Sequence, residues 1–154
     1  AFLLRDDIET IHAATDLLAE AKLSPELRNE ALYYRAKAYT KQKADKKAME
    51  DYRELAKDTR NPYGAEAKYQ VAQSLYDAKE YAAAEKELLN YIEQSTPHAY
   101  WLARSFVLLS DVYHATGKDL DARQYLLSLQ QNYQGNDDIE SMIESRLSKL
   151  KVEN

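Results

Sequence analysis

Cysteine is absent from the chain, which removes disulfides, thiolate nucleophiles and cysteine-based zinc sites. Glycine and proline are scarce, three of each in 154 residues. The glycines, Gly64, Gly117 and Gly135, are too scattered to form a phosphate-cradling loop. β-Branched residues are few: 4 Val, 5 Ile and 6 Thr stand against 22 Ala and 20 Leu. A sandwich or barrel needs such residues in its strands and turn residues between them, so an all-β fold is excluded. No apolar run reaches the 18 residues of a membrane span. A basic balance is lacking too. The net charge of −5 argues against a general nucleic-acid binder. What is plentiful is Ala, Leu, 13 Tyr and 31% charged residues. Disordered chains are aromatic-poor, so this composition predicts a folded, all-helical protein with tight turns. The first residue is Ala1 rather than Met, which reads as a processed chain or an excised fragment.

The three prolines, Pro25, Pro62 and Pro97, are nearly evenly spaced and divide the chain into similar blocks. The first block carries Ala36, Tyr39, Ala48, Tyr52 and Leu55. The second carries Ala72, Leu75, Ala84, Leu88 and Tyr91, and the third Ser110, Tyr113, Ala122, Leu126 and Leu129. In each, two small residues are 12 apart and large residues follow the second at +4 and +7; the period is 36, then 38. Small residues let paired helices approach closely, and the large ones fill the space between them. Each block therefore predicts two helices. Ser24, Asn61 and Thr96 precede the prolines as N-caps, with proline at the first helical position. The leading segment predicts one helix, with Ala14, Leu18 and Ala21 on its inner face. Asp137-x-x-Glu140 resembles a capping box. It opens a final helix with an apolar stripe of Ile139, Met142, Ile143, Leu147 and Leu150, a polar-backed cap for a repeat stack.

These blocks resemble the tetratricopeptide repeat (TPR), whose pattern places small residues at positions 8 and 20 and large ones at 11, 24 and 27. Gly117 and Tyr81 match its glycine at 15 and its aromatic at 17. Leu32, Lys68 and Phe106 replace its Trp at position 4, and the period exceeds the usual 34. The resemblance covers about residues 10–134. It implies a right-handed superhelix of antiparallel helix pairs: a half repeat (6–23), repeats 25–60, 62–95 and 97–134, and a capping helix (137–151). The longer period and Pro97, Tyr100 and Ala103 look like the repeats of bacterial cell-envelope TPR proteins, such as outer-membrane assembly lipoproteins and the Tol-associated periplasmic coordinator. That implies a periplasmic or envelope location.

The resemblance further implies a concave face that binds a peptide or helix of a partner protein. Its lining positions hold Tyr33, Lys37 and Lys41, then Tyr69, Gln73 and Tyr76, then Arg104, Val107, Asp111 and His114. Tyr and Arg are residue types that anchor interfaces. Tyr33 and Tyr69 either line this groove or fill gaps between repeats. The Lys and Asn with which chaperone-binding members clamp a C-terminal carboxylate are missing, since those positions hold Tyr33, Lys37, Tyr69 and Gln73.

The sequence holds no zinc-protease helix motif, Walker loop or nucleophile elbow. Asp111 and His114 share a helix face, but two groups are too few for a metal site, and His12 and His98 lie in other blocks. Lys41, Lys43, Lys46 and Lys47 cluster at a predicted turn, and residues 25–61 carry 10 Lys/Arg against 7 Asp/Glu. That cluster reads as a solvated turn or a contact for acidic lipid or nucleic acid. The expectation is a non-catalytic interaction scaffold without cofactor or metal, binding a protein or peptide and neither nucleic acid nor a membrane span. Two alternatives stay open: an accessory domain of an enzyme whose catalytic part lies outside this chain, or a self-association module.

Overall fold

The computed structural model describes residues 6–94 and 97–150. Among them are eight helices and no strand. They are α1 (Asp7–Leu18), α2 (Pro25–Lys41), α3 (Asp45–Leu55), α4 (Pro62–Asp77), α5 (Tyr81–Glu93), α6 (Ala99–Ala115), α7 (Asp119–Asn132) and α8 (Ile139–Leu147). The chain forms two compact units, the first ending at Val71 and the second starting at Ala72.

In the first unit α2 packs against both α1 and α3. Ala14, Ala31, Ala36 and Ala48 are buried where these helices meet, with Leu32, Tyr52 and Leu55 filling the space between them. In the second unit α6 packs against α5, α7 and α8, and α7 also meets α8. Val107, Leu126, Leu129, Ile139 and Ile143 are buried together there, flanked by Phe106, Tyr133, Met142, Leu147 and Leu150. Each buried Leu or Ile side chain contributes about 2 kcal/mol. Most of the small–large positions are buried as their spacing predicts, while Tyr39 and Leu75 are only half-buried. The small residues Ala36, Ala48, Ala72, Ala84, Ser110 and Ala122 are all at most 3% exposed. Tyr52, Leu55, Leu88, Tyr91, Leu126 and Leu129 are buried as well.

Three turns share one geometry. After α2, Lys43 adopts a left-handed φ of 59°; after α4 Lys79 has 62°, and after α6 Gly117 has 79°. In each, the amide of the next residue reaches back five: Ala44 to Tyr39, Glu80 to Leu75 and Lys118 to Tyr113, at 2.8–2.9 Å. The left-handed residue's own amide bonds the carbonyl three before it. This closes the orphan carbonyls of a helix end in the Schellman manner. Glycine suits such a position and L-residues pay for it. Lys43→Gly and Lys79→Gly are therefore expected to raise stability by about 1 kcal/mol each. A Cβ on Gly117 meets nothing within 4 Å, so Gly117→Ala is expected to cost about 1 kcal/mol through φ alone. Denaturant midpoints check all three; unchanged midpoints would mean that these turns relax.

Four helix-end expectations sort differently. Ser24 Oγ accepts the Leu27 amide at 3.2 Å, and Asn61 Oδ1 accepts the Gly64 amide at 2.8 Å, so both caps form before their prolines. At the third proline the helix starts later. It begins at Ala99 after His98, without a side-chain cap, and His98 O accepts the Leu102 amide at 3.1 Å. Thr96 lies outside the described residues. The capping box at Asp137 does not form. The helix starts at Ile139, and Asp137 instead accepts the Ile139 amide at 3.0 Å and the Tyr133 hydroxyl. Ala21 is exposed beyond the end of α1, while Ala14 is fully buried. The end of the expected capping helix, residue 151, also lies outside the described residues.

Candidate functional site

In the first unit the i,i+4 spacing of Tyr33 and Lys37 puts both on one face of α2. Both reach Glu66 of α4. The Tyr33 hydroxyl donates to Glu66 Oε1 at 2.8 Å and Lys37 Nζ pairs with Oε2 at 3.0 Å. Glu66 is buried, 8% exposed, so its carboxylate is compensated by both donors. Lys37 Nζ also lies 5.0 Å from the centre of the Tyr33 ring, which stacks at a tilt on Tyr63 (4.6 Å) and meets Tyr34 edge-on (5.2 Å). Burial first, then the bond to Glu66, pushes the Tyr33 hydroxyl well above the usual tyrosine range, so it stays a donor. Lys41 is exposed at the end of α2.

Tyr69 is 5% exposed. Of its two sequence readings, lining a groove or filling space, the burial matches the second. Sequence reasoning treated Lys37 as a groove cation and overlooked the carboxylate that neutralises it.

In the second unit Asp111 of α6 is held by Arg146 of α8. Arg146 Nε is 3.1 Å from Oδ1 and Nη2 is 3.2 Å from Oδ2, a two-pronged pair. His114, exposed, meets Asp119 across the turn, Nδ1 to Oδ1 at 2.8 Å. Asp111 and His114 thus engage different partners, and sequence reasoning missed Arg146, 35 residues from Asp111. Arg104 Nη1 donates to the Tyr100 hydroxyl at 2.9 Å, and that hydroxyl donates to Asp138 Oδ1 at 3.0 Å. The Arg104 guanidinium lies 5.8 Å from the centres of both the Tyr100 and Trp101 rings. Tyr76 rests on Tyr81 at 5.6 Å, and burial followed by the Asp111 charge raises its pKa. Gln73 Nε2 donates to Asp77 Oδ1 at 2.9 Å. Val107 is 1% exposed and belongs to the core, so it lines no surface. Its lining position by register is overridden by the packing of α7 and α8.

A cleft of about 440 Å³ opens where α7 runs into α8, with Gln130, Gln134 and Asn136 on its sides and Ile139 and Ile143 at its base. Its wall residue Tyr133 donates to Asp137 at 2.5 Å. Burial, then that bond, pushes its pKa up to about 12. Among the described residues no group of three or more His, Asp or Glu could hold a metal ion, and no helix is long and apolar enough to cross a membrane.

These groups place hydroxyl and guanidinium donors beside aromatic rings, with the Lys41 ammonium and the His114 imidazole exposed. No family model, no curated protein and no solved structure matches the chain.

Proposed function

We propose that the chain is a non-catalytic interaction scaffold, in which tetratricopeptide-like helix pairs stack as a right-handed superhelix and hold a partner peptide or helix in the concave groove. One observation carries the reading. Three hairpin turns have the same left-handed closure at Lys43, Lys79 and Gly117, spaced 36 and 38, the period at which the buried small residues recur. Repeated hairpins with small residues at the helix contacts are what such a stack requires. Of the expected lining residues, Lys41, Tyr76 and His114 have exposed or half-exposed side chains with which to meet a partner. Tyr33 and Lys37 in the first unit, and Arg104 and Asp111 in the second, are already held by intramolecular bonds.

Site-specific photo-crosslinking in the source cell tests the proposal. A crosslinking residue placed in turn at Lys41, Tyr76 and His114 is expected to capture one common protein. The same residue at Leu120, exposed on α7 and outside the lining positions, is expected to miss it. Equal capture from Leu120, or different proteins from each position, would overturn the groove. An adduct made of two copies of this chain would reassign it to self-association.

A further inference from the structure

The turn between α2 and α3 carries four lysines in seven residues, Lys41, Lys43, Lys46 and Lys47, against one acid, Asp45. All four are exposed. Among the described residues none of them has an ion-pair partner; Lys47 Nζ lies 5.8 Å from the centre of the Tyr39 ring. Helix stability does not account for the cluster. Lys41 and Lys43 lie at the carboxyl end of α2, where a cation is favourable, but Lys46 and Lys47 occupy the second and third positions of α3. There the amide dipoles disfavour positive charge, and Asp45 at the first position is one carboxylate against two ammonium groups. Lys43 also stands in the left-handed region at the apex of the turn, a position that glycine fills more cheaply. The chain as a whole is acidic, so this is a local island of positive charge. Its reach is set by the Debye length of about 8 Å at physiological salt.

The chemistry of the island narrows its partner. It holds no arginine fork to read a particular phosphate or carboxylate. Residues 40–47 contain no aromatic or large apolar side chain, and the neighbouring Tyr39 ring is half-buried beside Arg35 and Lys47, so the turn presents neither an open anchor for a protein interface nor a free platform for stacked bases. What remains is a set of mobile, hydrated point charges on an exposed turn, which suits a diffuse negative surface rather than a shaped ligand. We propose that this turn docks the first unit, peripherally and reversibly, on a bilayer rich in anionic headgroups. The proposal shares Lys41 with the groove reading, but its test substitutes only Lys43, Lys46 and Lys47, which are not lining positions, so either can fail without the other.

Sedimentation of the full chain with vesicles tests it. Binding is expected to vesicles of phosphatidylcholine mixed with phosphatidylglycerol, to be absent from phosphatidylcholine alone, and to vanish in high salt. Each lysine near such a surface contributes about a fivefold factor in partitioning. Lys43→Gly is therefore expected to lower it about fivefold, although the substitution suits the turn and should not unfold it. Lys79→Gly makes the same backbone change outside the island, beside Asp77 and Glu80, and should leave partitioning unchanged. Adding Lys46→Gln and Lys47→Gln to Lys43→Gly should abolish it. No sedimentation with anionic vesicles at low salt, or equal losses from Lys43→Gly and Lys79→Gly, would overturn the proposal. So would capture by polyglutamate or an oligonucleotide without vesicle binding, which would give the island to a different anion.

Discussion

Replacing Gly64 by alanine is expected to destabilise the first unit by about 3 kcal/mol or more, the upper range for overpacking. Helix propensity alone predicts the opposite sign, a gain of about 1 kcal/mol for Gly→Ala inside a helix. The sign turns on backbone rather than side chains. Gly64 is the third residue of α4. Its amide is bonded to Asn61 Oδ1 at 2.8 Å, while Asn61 Nδ2 donates to Asp58 O at 2.9 Å. This clamp draws the start of α4 against the chain that leaves α3. A methyl group on Gly64 would overlap the Asp58 carbonyl and sit 2.8 Å from Leu55 O. Backbone carbonyls cannot swing aside as a flexible side chain does, so either α3 or α4 must shift. Denaturant unfolding, with hydrogen exchange of α3 and α4 amides, reads the effect. A Gly64→Ala protein as stable as the parent would show that the close approach is absent.

The second large effect is expected at Asp51. Its carboxylate, 4% exposed, receives Arg35 Nε at 2.8 Å and Nη2 at 2.7 Å, tying α3 to α2. Arg35 Nη1 continues to Thr15 Oγ1 of α1 at 3.1 Å, so one guanidinium joins three helices. The bond to Asp51 raises the Arg35 pKa further, outweighing its partial burial, and the group stays charged. Asp51→Ala strands that charge at a site only 19% exposed. The expected cost is about 3 kcal/mol, the lower end for breaking a buried pair. The double change Arg35→Met with Asp51→Leu is expected to cost less than Asp51→Ala alone, because no charge is left unpaired. Unfolding curves of the parent, both single variants and the double variant decide it. A loss below about 0.5 kcal/mol for Asp51→Ala would place the pair with exposed ion pairs, which contribute little.

Neither residue was singled out by sequence patterning. Asp51 and Arg35 are charged residues 16 apart, and nothing local marks them as partners. Gly64 looked like one of three scattered glycines, because its need for a missing Cβ comes from Asp58 and Leu55, which precede its helix. The same holds for the candidate site. The aromatic and basic character around Tyr33, Lys37 and Arg104 was legible, since it depends on residue type and helical register. The acceptors were not. Glu66 is 33 residues from Tyr33, and Arg146 is 35 from Asp111. Tyr69 and Val107, lining residues by register, are buried, because register gives an angle on a helix and not what lies opposite it.

By itself the sequence determined that the chain is helical, roughly where its helices lie, and which small and large residues face inward. Those properties rest on the 3.6-residue period, on Ala and Leu, and on caps such as Ser24 and Asn61, all set within a few residues of chain. The tertiary structure decided which charges are spent on one another, which glycine is obligatory, and that lysines close two of the three turns in a left-handed conformation. The charge pairings depend on atoms brought together from distant parts of the chain, and the glycine and the turns on how successive helices close on one another, so a carboxylate's meaning is set by the donor it meets and a methyl group's cost by the carbonyl it would strike.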